Sequence, residues 1–311
     1  VSGDAVAIGV RFLNSYRAGI VIASPHEPGH RLLVSPDHDG NGYEEIVMLR
    51  QEGTSGHYVA KVYDAYTGGA LWTVPLGARP VNDFGLLSEP ERPLRIAVVF
   101  EALSGRTILD YVVAPNGNRQ QRIQLWSRAE SRAIAMLADL NGNGTREVAV
   151  AAVVGNNVKI ELREGRSGNR LAAYTAVKGL DLQRMLAVDD AAGTPALVLV
   201  GESRNGTRNR AVMVDALAGT VLYSVEMGSA TGGPVHDAAM VDDQDGDGVP
   251  ELVIARTFPA NGRSGWQVWN VVTGTRTSAR FNGIEVTDLH LAIQPDVGGD
   301  GQSEVGLMRV K

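Results

Sequence analysis

The residues best suited to chemistry are acidic and amide side chains collected in four short glycine-bearing loops. The fullest is Asp243-Gln-Asp245-Gly-Asp247-Gly-Val249-Pro-Glu251. Its relatives are Asp37-His-Asp39-Gly-Asn41-Gly-Tyr43-Glu-Glu45, Asp139-Leu-Asn141-Gly-Asn143-Gly-Thr145-Arg-Glu147 and the thinner Asp296-Val-Gly-Gly-Asp300-Gly-Gln302-Ser-Glu304. Numbered from the first Asp, the pattern offers side-chain oxygens at positions 1, 3, 5 and 9 and a backbone carbonyl at position 7. Calcium is a hard cation that takes about six to eight oxygens at about 2.3–2.6 Å, and oxygens at alternate positions of a tight loop converge on one point. The candidate ligands are therefore Asp37, Asp39, Asn41, Tyr43 and Glu45; Asp139, Asn141, Asn143, Thr145 and Glu147; Asp243, Asp245, Asp247, Val249 and Glu251; and Asp296, Asp300, Gln302 and Glu304. Three to four structural calcium ions are expected. Asp-Gly and Asn-Gly clusters also make good hairpin turns by themselves, and that reading competes most strongly at Asp139–Glu147, which carries two carboxylates.

The first half of each loop resembles an EF-hand. That motif, however, needs a bidentate acid at position 12 and flanking helices. Position 12 is Met48, Val150, Ile254 or Leu307, and the residues around it have the character of a strand. The helical reading is dropped.

The loops also set a period. Position 9 falls at Glu45, Glu147, Glu251 and Glu304, and the wide gaps each hold a copy of the post-loop strand without its ligands, at Arg95 and at Ala196. The intervals become 50, 52, 49, 55 and 53 residues, which is the spacing of a repeat architecture. A glycine hairpin comes 21 to 23 residues after each mark, at Gly68, Gly117, Gly168, Gly219 and Gly274. The sixth would wrap past Lys311 to Ser15 or Tyr16, so the N-terminus is expected to complete the unit the C-terminus begins. Each unit reads as four short strands. The expected fold is all-β, a six-bladed β-propeller of four-stranded antiparallel blades in which the N-terminal strands supply the outer half of the last blade and the C-terminal strands the inner half. The expected domain is single, 1–311, with blades at about 31–80, 81–130, 131–179, 180–232, 233–284 and 285–311 plus 1–30.

These loops and their placement resemble the FG-GAP, or integrin-α-type, propeller family, whose repeats set an Asp-x-Asp-x-Asp-Gly-x-x-Asp/Glu calcium loop between the first and second strands of a blade. The resemblance runs the full length of the chain. Integrin α-chains have seven blades, and the Phe-Gly and Gly-Ala-Pro tags of the family are not evident here. What the resemblance implies is a calcium-stabilised extracellular recognition or adhesion module.

Composition bounds the rest. With 44% apolar residues and 37 glycines in 311 residues, the chain can bury a large core and turn often. No apolar run approaches the ~18 residues of a membrane helix, so membrane insertion is not expected. There are no cysteines, so disulfides do not hold the fold. The net charge is −6, while the ligand positions of the four loops hold twelve carboxylates, so much of the acidity is ligand charge and nucleic acid is an unexpected partner. Loops without a helical scaffold suit millimolar calcium, which points to a secreted or cell-surface protein. The chain opens at Val1, and a removed signal sequence or flanking domains of a longer chain are part of that expectation.

Catalytic constellations are absent from the sequence pattern. The six histidines are scattered, and His26 and His30 are separated by Pro28 and Gly29. Nearly every close acidic pair belongs to a loop, which leaves none to assign to glycosidase work. The tryptophans Trp72, Trp126, Trp266 and Trp269 are expected to pack rather than to stack on sugars. The expected function is thus non-catalytic binding of an extracellular protein or glycan through the face opposite the loops, which carries segments such as Gln51–Gly56, Glu202–Asn209 and Pro259–Gly265. The competing class is a secreted carbohydrate-active enzyme, polysaccharide lyase-like, or a lectin on the same scaffold.

Overall fold

The computed structural model describes residues 6–10, 21–22, 31–42, 45–52, 57–64, 66–87, 93–229, 233–258, 262–282, 288–294 and 304–310. The elements are antiparallel strands in four-stranded sheets. Strand β1 spans Val6–Val10 and β2 Val21–Ile22. The first complete blade is β3 (Arg31–Ser35), β4 (Glu45–Glu52), β5 (His57–Asp64) and β6 (Ala70–Gly77). The second is β7 (Val81–Leu87), β8 (Arg95–Glu101), β9 (Arg106–Val113) and β10 (Asn118–Ser127). The third is β11 (Ala129–Met136), β12 (Glu147–Val154), β13 (Asn157–Glu164) and β14 (Arg170–Lys178). The fourth is β15 (Leu180–Asp189), β16 (Pro195–Ser203), β17 (Arg208–Asp215) and β18 (Val221–Ser229). The fifth is β19 (Val235–Val241), β20 (Glu251–Phe258), β21 (Arg263–Trp269) and β22 (Arg276–Asn282). Last come β23 (Asp288–Gln294) and β24 (Glu304–Val310).

The architecture is a β-propeller, but the expected count of six blades is corrected to five. Five blades, rather than six, are complete units of four consecutive strands. The remaining strands make a composite sheet in the order β2-β1-β24-β23, with β23 packed between β19 and β3 to close the ring. It is not the equal of the others. Strands β23 and β24 share seven residue pairs, whereas β1 meets β24 through Ile8↔Met308, Gly9↔Leu307 and Val10↔Gly306, and β2 through Val6↔Ile22 and Ala7↔Val21. The pairing described at the N-terminal end is short, with five residues in β1 and two in β2 against eight in each of β5 and β6. Repeat spacing registers position along the chain and not the extent of pairing. The hairpin expected near Ser15 and Tyr16 lies outside the described residues.

Burial follows from stacking sheets face to face. Second strands are apolar on both sides, as in Glu147-Val-Ala-Val-Ala-Ala-Val-Val154, where every residue but the last is buried. Outer strands alternate and stay largely exposed, as in β10 and β18. The core lies between blades. One cluster joins Val47, Leu49 and Val62 of the first blade to Phe84, Ile96 and Val98 of the second. Others join the second blade to the third, the third to the fourth, the fourth to the fifth and the fifth to Leu289, Leu291 and Val305 of the closing sheet. The four tryptophans are half-buried and pack against these clusters, as expected.

The hairpin glycines that mark the period have a structural cause. Gly117, Gly168 and Gly219 adopt positive φ of 72°, 70° and 71°, a region L-residues disfavour. Each also faces the outer strand of the preceding blade, where an added Cβ would meet Pro75, Gln121 and Ile123, or Tyr174 at 2.5, 2.7 and 2.3 Å respectively. Tyr174 in turn donates its hydroxyl to the Ala216 carbonyl at 2.7 Å.

Two buried aspartates tie neighbouring blades at the ring's inner wall. Asp83 sits at a register shift in β7, accepts the Phe84 N–H at 2.9 Å and reaches across to the Ile134 N–H of β11 at 2.8 Å. Asp237 repeats this in β19, accepting from Ala238 and from Leu291 of β23, both at 2.9 Å, and pairs with Arg184 of β15 at 2.6 Å. A single residue thus connects three sheets. Replacing Asp83 with Ala strands the buried Ile134 N–H and is expected to cost about 1–3 kcal/mol. Chemical denaturation of Asp83→Ala against the parent checks this, and an unchanged midpoint refutes the tie.

Candidate metal centres

Each acidic loop joins the first and second strands of a sheet, with β3–β4, β11–β12 and β19–β20 carrying those described. The local fold is dictated by two glycines and one aspartate. Positions 4 and 6 are Gly40 and Gly42, Gly142 and Gly144, or Gly246 and Gly248, with φ between 74° and 87°. That left-handed turn aims their N–H groups at the position-1 carboxylate. Asp37 accepts from Gly40 and Gly42 at 2.7 Å each, Asp139 from Gly142 at 2.8 Å and Gly144 at 2.6 Å, and Asp243 from Gly246 at 2.7 Å and Gly248 at 2.8 Å. Donors of this kind stabilise the ionised form. The N–H of Gly42 chiefly holds Asp37 below the usual carboxylate range, and that of Gly248 does so for Asp243. At Asp139 desolvation pushes upward, but the N–H groups of Gly144, Asn143, Gly142 and Asn141 outweigh it and leave this group lowered too.

Position 9 is built differently. Glu45, Glu147 and Glu251 are 1%, 0% and 0% exposed. One carboxylate oxygen of each accepts the position-2 N–H: His38 to Glu45 at 2.7 Å, Leu140 to Glu147 at 2.7 Å and Gln244 to Glu251 at 2.6 Å. The other oxygen of each is buried without a hydrogen-bond partner. Buried polar atoms are nearly always paired, so three equivalent orphaned oxygens in three equivalent loops point to a missing partner of positive charge. Burial pushes all three carboxyls upward, and Glu251, with Asp245, Asp243 and Asp247 nearby, reaches about 7.

The other candidate ligands are distributed among the loops. Carboxylate oxygens of Asp37, Asp39 and Glu45 lie within 4.8 Å of one another, as do those of Asp243, Asp245 and Asp247. The Asp139 loop brings Asn141 and Asn143 to the corresponding places, and its Asn143 Oδ1 accepts the Thr145 N–H at 2.8 Å. Val249 donates likewise to Asp247 Oδ1 at 2.8 Å. Tyr43, Asp296, Asp300 and Gln302 lie outside the described residues, while Glu304 opens β24 opposite Gln294. The blades without a loop differ at position 9. Arg95 stands there in the second blade, buried, and donates to the Gly165 carbonyl at 3.0 Å; Ala196 stands there in the fourth. The donor set of the three described loops is all oxygen, converging and anionic, and suits a hard divalent cation.

Sequence reading missed one layer. The end of each third strand borders the loop: Asp64 and Glu164 close β5 and β13 and pair in register with Glu45 and Glu147, and Asn270 directly follows β21. Asn143 Nδ2 donates to Glu164, Asn41 donates to Asp64, and Asn270 Nδ2 donates to Asp245 and Asp247, both at 2.7 Å. The signal was available, because these residues stand four before the hairpin glycines Gly68, Gly168 and Gly274.

No family model matches the chain, and no curated protein matches it. Solved structures do. A mutant of AofleA from Arthrobotrys oligospora aligns with TM-score 0.60 at 10% identity, covering 98% of this chain and 81% of that one. Kuenenia stuttgartiensis hydrazine synthase gives TM-score 0.56 at 14% identity over 90% of this chain and 74% of that one. The Dos1 propeller gives 0.54 at 12% identity over 94% and 72%. Similarity at this level shows the propeller fold.

The opposed shifts give a pH signature. Glu251 binds its proton more tightly folded than unfolded, so in metal-free protein it favours folding below its ordinary range, and that contribution is lost as pH rises towards about 7. Asp37, Asp139 and Asp243 act oppositely, contributing above the unfolded carboxylate range and losing this as pH falls through their lowered values. A divalent ion must displace the Glu251 proton. Calorimetric titration with calcium in buffers of different ionisation heat is therefore expected to show proton release near pH 6 that fades by pH 8; equal heats throughout contradict it.

Proposed function

We propose that this propeller is a calcium-stabilised, non-catalytic recognition module of the extracellular space that binds a protein or glycan on the face opposite its acidic loops. The observation that carries the metal part is the repeated orphaned oxygen of Glu45, Glu147 and Glu251, set beside lowered, N–H-cradled aspartates. Calcium fits better than magnesium, since the latter demands a near-ideal octahedron and retains water, whereas a nine-residue loop with carboxylates and a backbone carbonyl offers many flexible oxygens. The loop order matches the FG-GAP pattern, and weak helix-free sites suit millimolar calcium.

The role of the ion on this reading is mechanical. Without it, the carboxylates at positions 1, 3, 5 and 9 repel; with it, the loop becomes a fixed joint between first and second strands. The binding face then follows from topology, because hairpins between second and third strands leave the other end of each sheet. The tip at Glu202–Asn209 is one such segment, held by Arg204 against Asp181 at 2.9 Å and against Glu130. A rigid scaffold carrying loops of this kind is the usual arrangement for recognition.

Excess chelator is expected to lower the melting temperature, and millimolar calcium to restore it, with Asp243–Glu251 the tightest site. Identical melting in both conditions contradicts the structural role. A glycan array with and without calcium tests the other half: retention without turnover supports recognition, whereas product release supports the lyase-like alternative.

A further inference from the structure

The border between each loop and its third strand obeys a rule. At position 5 stands Asn41, Asn143 or Asp247, and opposite it stands Asp64, Glu164 or Asn270. Every pair holds one amide and one carboxylate, but the polarity is reversed in the fifth blade. In the third blade the loop amide Asn143 donates outward to Glu164. In the fifth the loop acid Asp247 accepts from Asn270 at 2.7 Å. The inward atom is the same in both: Oδ1 of Asn143 and Oδ1 of Asp247 each accept the position-7 N–H, from Thr145 and Val249, at 2.8 Å.

We propose that in the third and fifth blades these pairs are positioning devices: the residue at the end of the third strand dictates that position 5 turns an oxygen toward the ion, whereas in the first blade Asn41 Nδ2 also donates to Asp39 at 3.1 Å. An asparagine can present either end of its amide. Donation to an acid behind it removes that choice, since the nitrogen is then committed outward and the oxygen, on the other branch of the trigonal amide carbon, is the atom left to face the loop. An aspartate needs no such choice but needs its outer oxygen paired, and Asn270 supplies two N–H groups, to Asp245 and Asp247. The pair also spreads charge. Where the loop has four carboxylates at its ligand positions the partner is neutral Asn270; where it has three or two the partners are Asp64 and Glu164. Glu164 thus gives the acid-poor Asp139 loop a third carboxylate at its edge. The third-strand residue does further work in the outer hairpin, where Asp64 accepts from Tyr66 and Asn270 from Val272 and Thr273, so loop and hairpin are joined through one side chain.

This inference rests on the calcium reading, and a charge-conserving swap separates the two. The full chain is compared with Asn143→Asp, Glu164→Gln and the double variant, by thermal melting in chelator and by calorimetric calcium titration. Asn143→Asp alone sets two carboxylates face to face, and melting in chelator is expected to fall by several degrees. The double variant reproduces the polarity of Asp247 and Asn270 at unchanged net charge. Its melting is expected to recover, and the weakest calcium step to tighten by about tenfold. A merely structural pair would restore melting and leave that step unmoved. Calcium uptake by the parent with additive effects of the two substitutions overturns the pairing alone; no uptake by the parent overturns the calcium reading and the inference with it.

Discussion

Half a carboxylate, buried and unpaired, organises this molecule. At Glu45, Glu147 and Glu251 one oxygen closes the loop through the position-2 N–H, and the other faces its acidic neighbours with nothing to bond. Leaving a charged group in that condition is costly, and burial accordingly raises the carboxyl of Glu251. The same residues begin the second strands, the most deeply buried segments of each blade. Local electrostatics at the loop and packing of the sheet therefore meet at one side chain.

The blades that lack a loop show what the arrangement requires. In the second, the place of the glutamate is taken by Arg95, a positive group that bonds to the neighbouring blade's hairpin. In the fourth, a small Ala196 removes the need for any counter-charge, and the turn before it is closed by Asp190 accepting from Ala192 and Thr194. The fold tolerates an acid, a base or a methyl at this point, provided that the chosen group is satisfied. On the calcium reading proposed above, the metal sites belong to individual blades, while the propeller is a property of all of them.

Much of this was legible in the chain. The period of position 9, the four strands per unit and the closing of the ring between the two ends follow from spacing and alternation alone, because each register mark begins a doubly buried strand. The number of complete blades was not legible, because spacing marks position along the chain and does not report how many consecutive strands pair within one unit. The loops were recognised from their acids, but the partners Asp64, Glu164 and Asn270 were not, because they lie some twenty residues away and become neighbours only through strand pairing. The aspartates Asp83 and Asp237 escaped notice for a similar reason: each sits in an apolar strand, and its task is set by an N–H in the next sheet.

The hairpin glycines carry one more consequence. Gly117, Gly168, Gly219 and Gly274 each lie against the blade before them in the chain, never the one after. The blades overlap like roof tiles laid in one direction. For a chain made from its N-terminus, each new blade meets an acceptor surface that has already been synthesised, so assembly can advance as a growing arc. Only the final seam, where β24 must find β1, has to wait for the last strand to arrive.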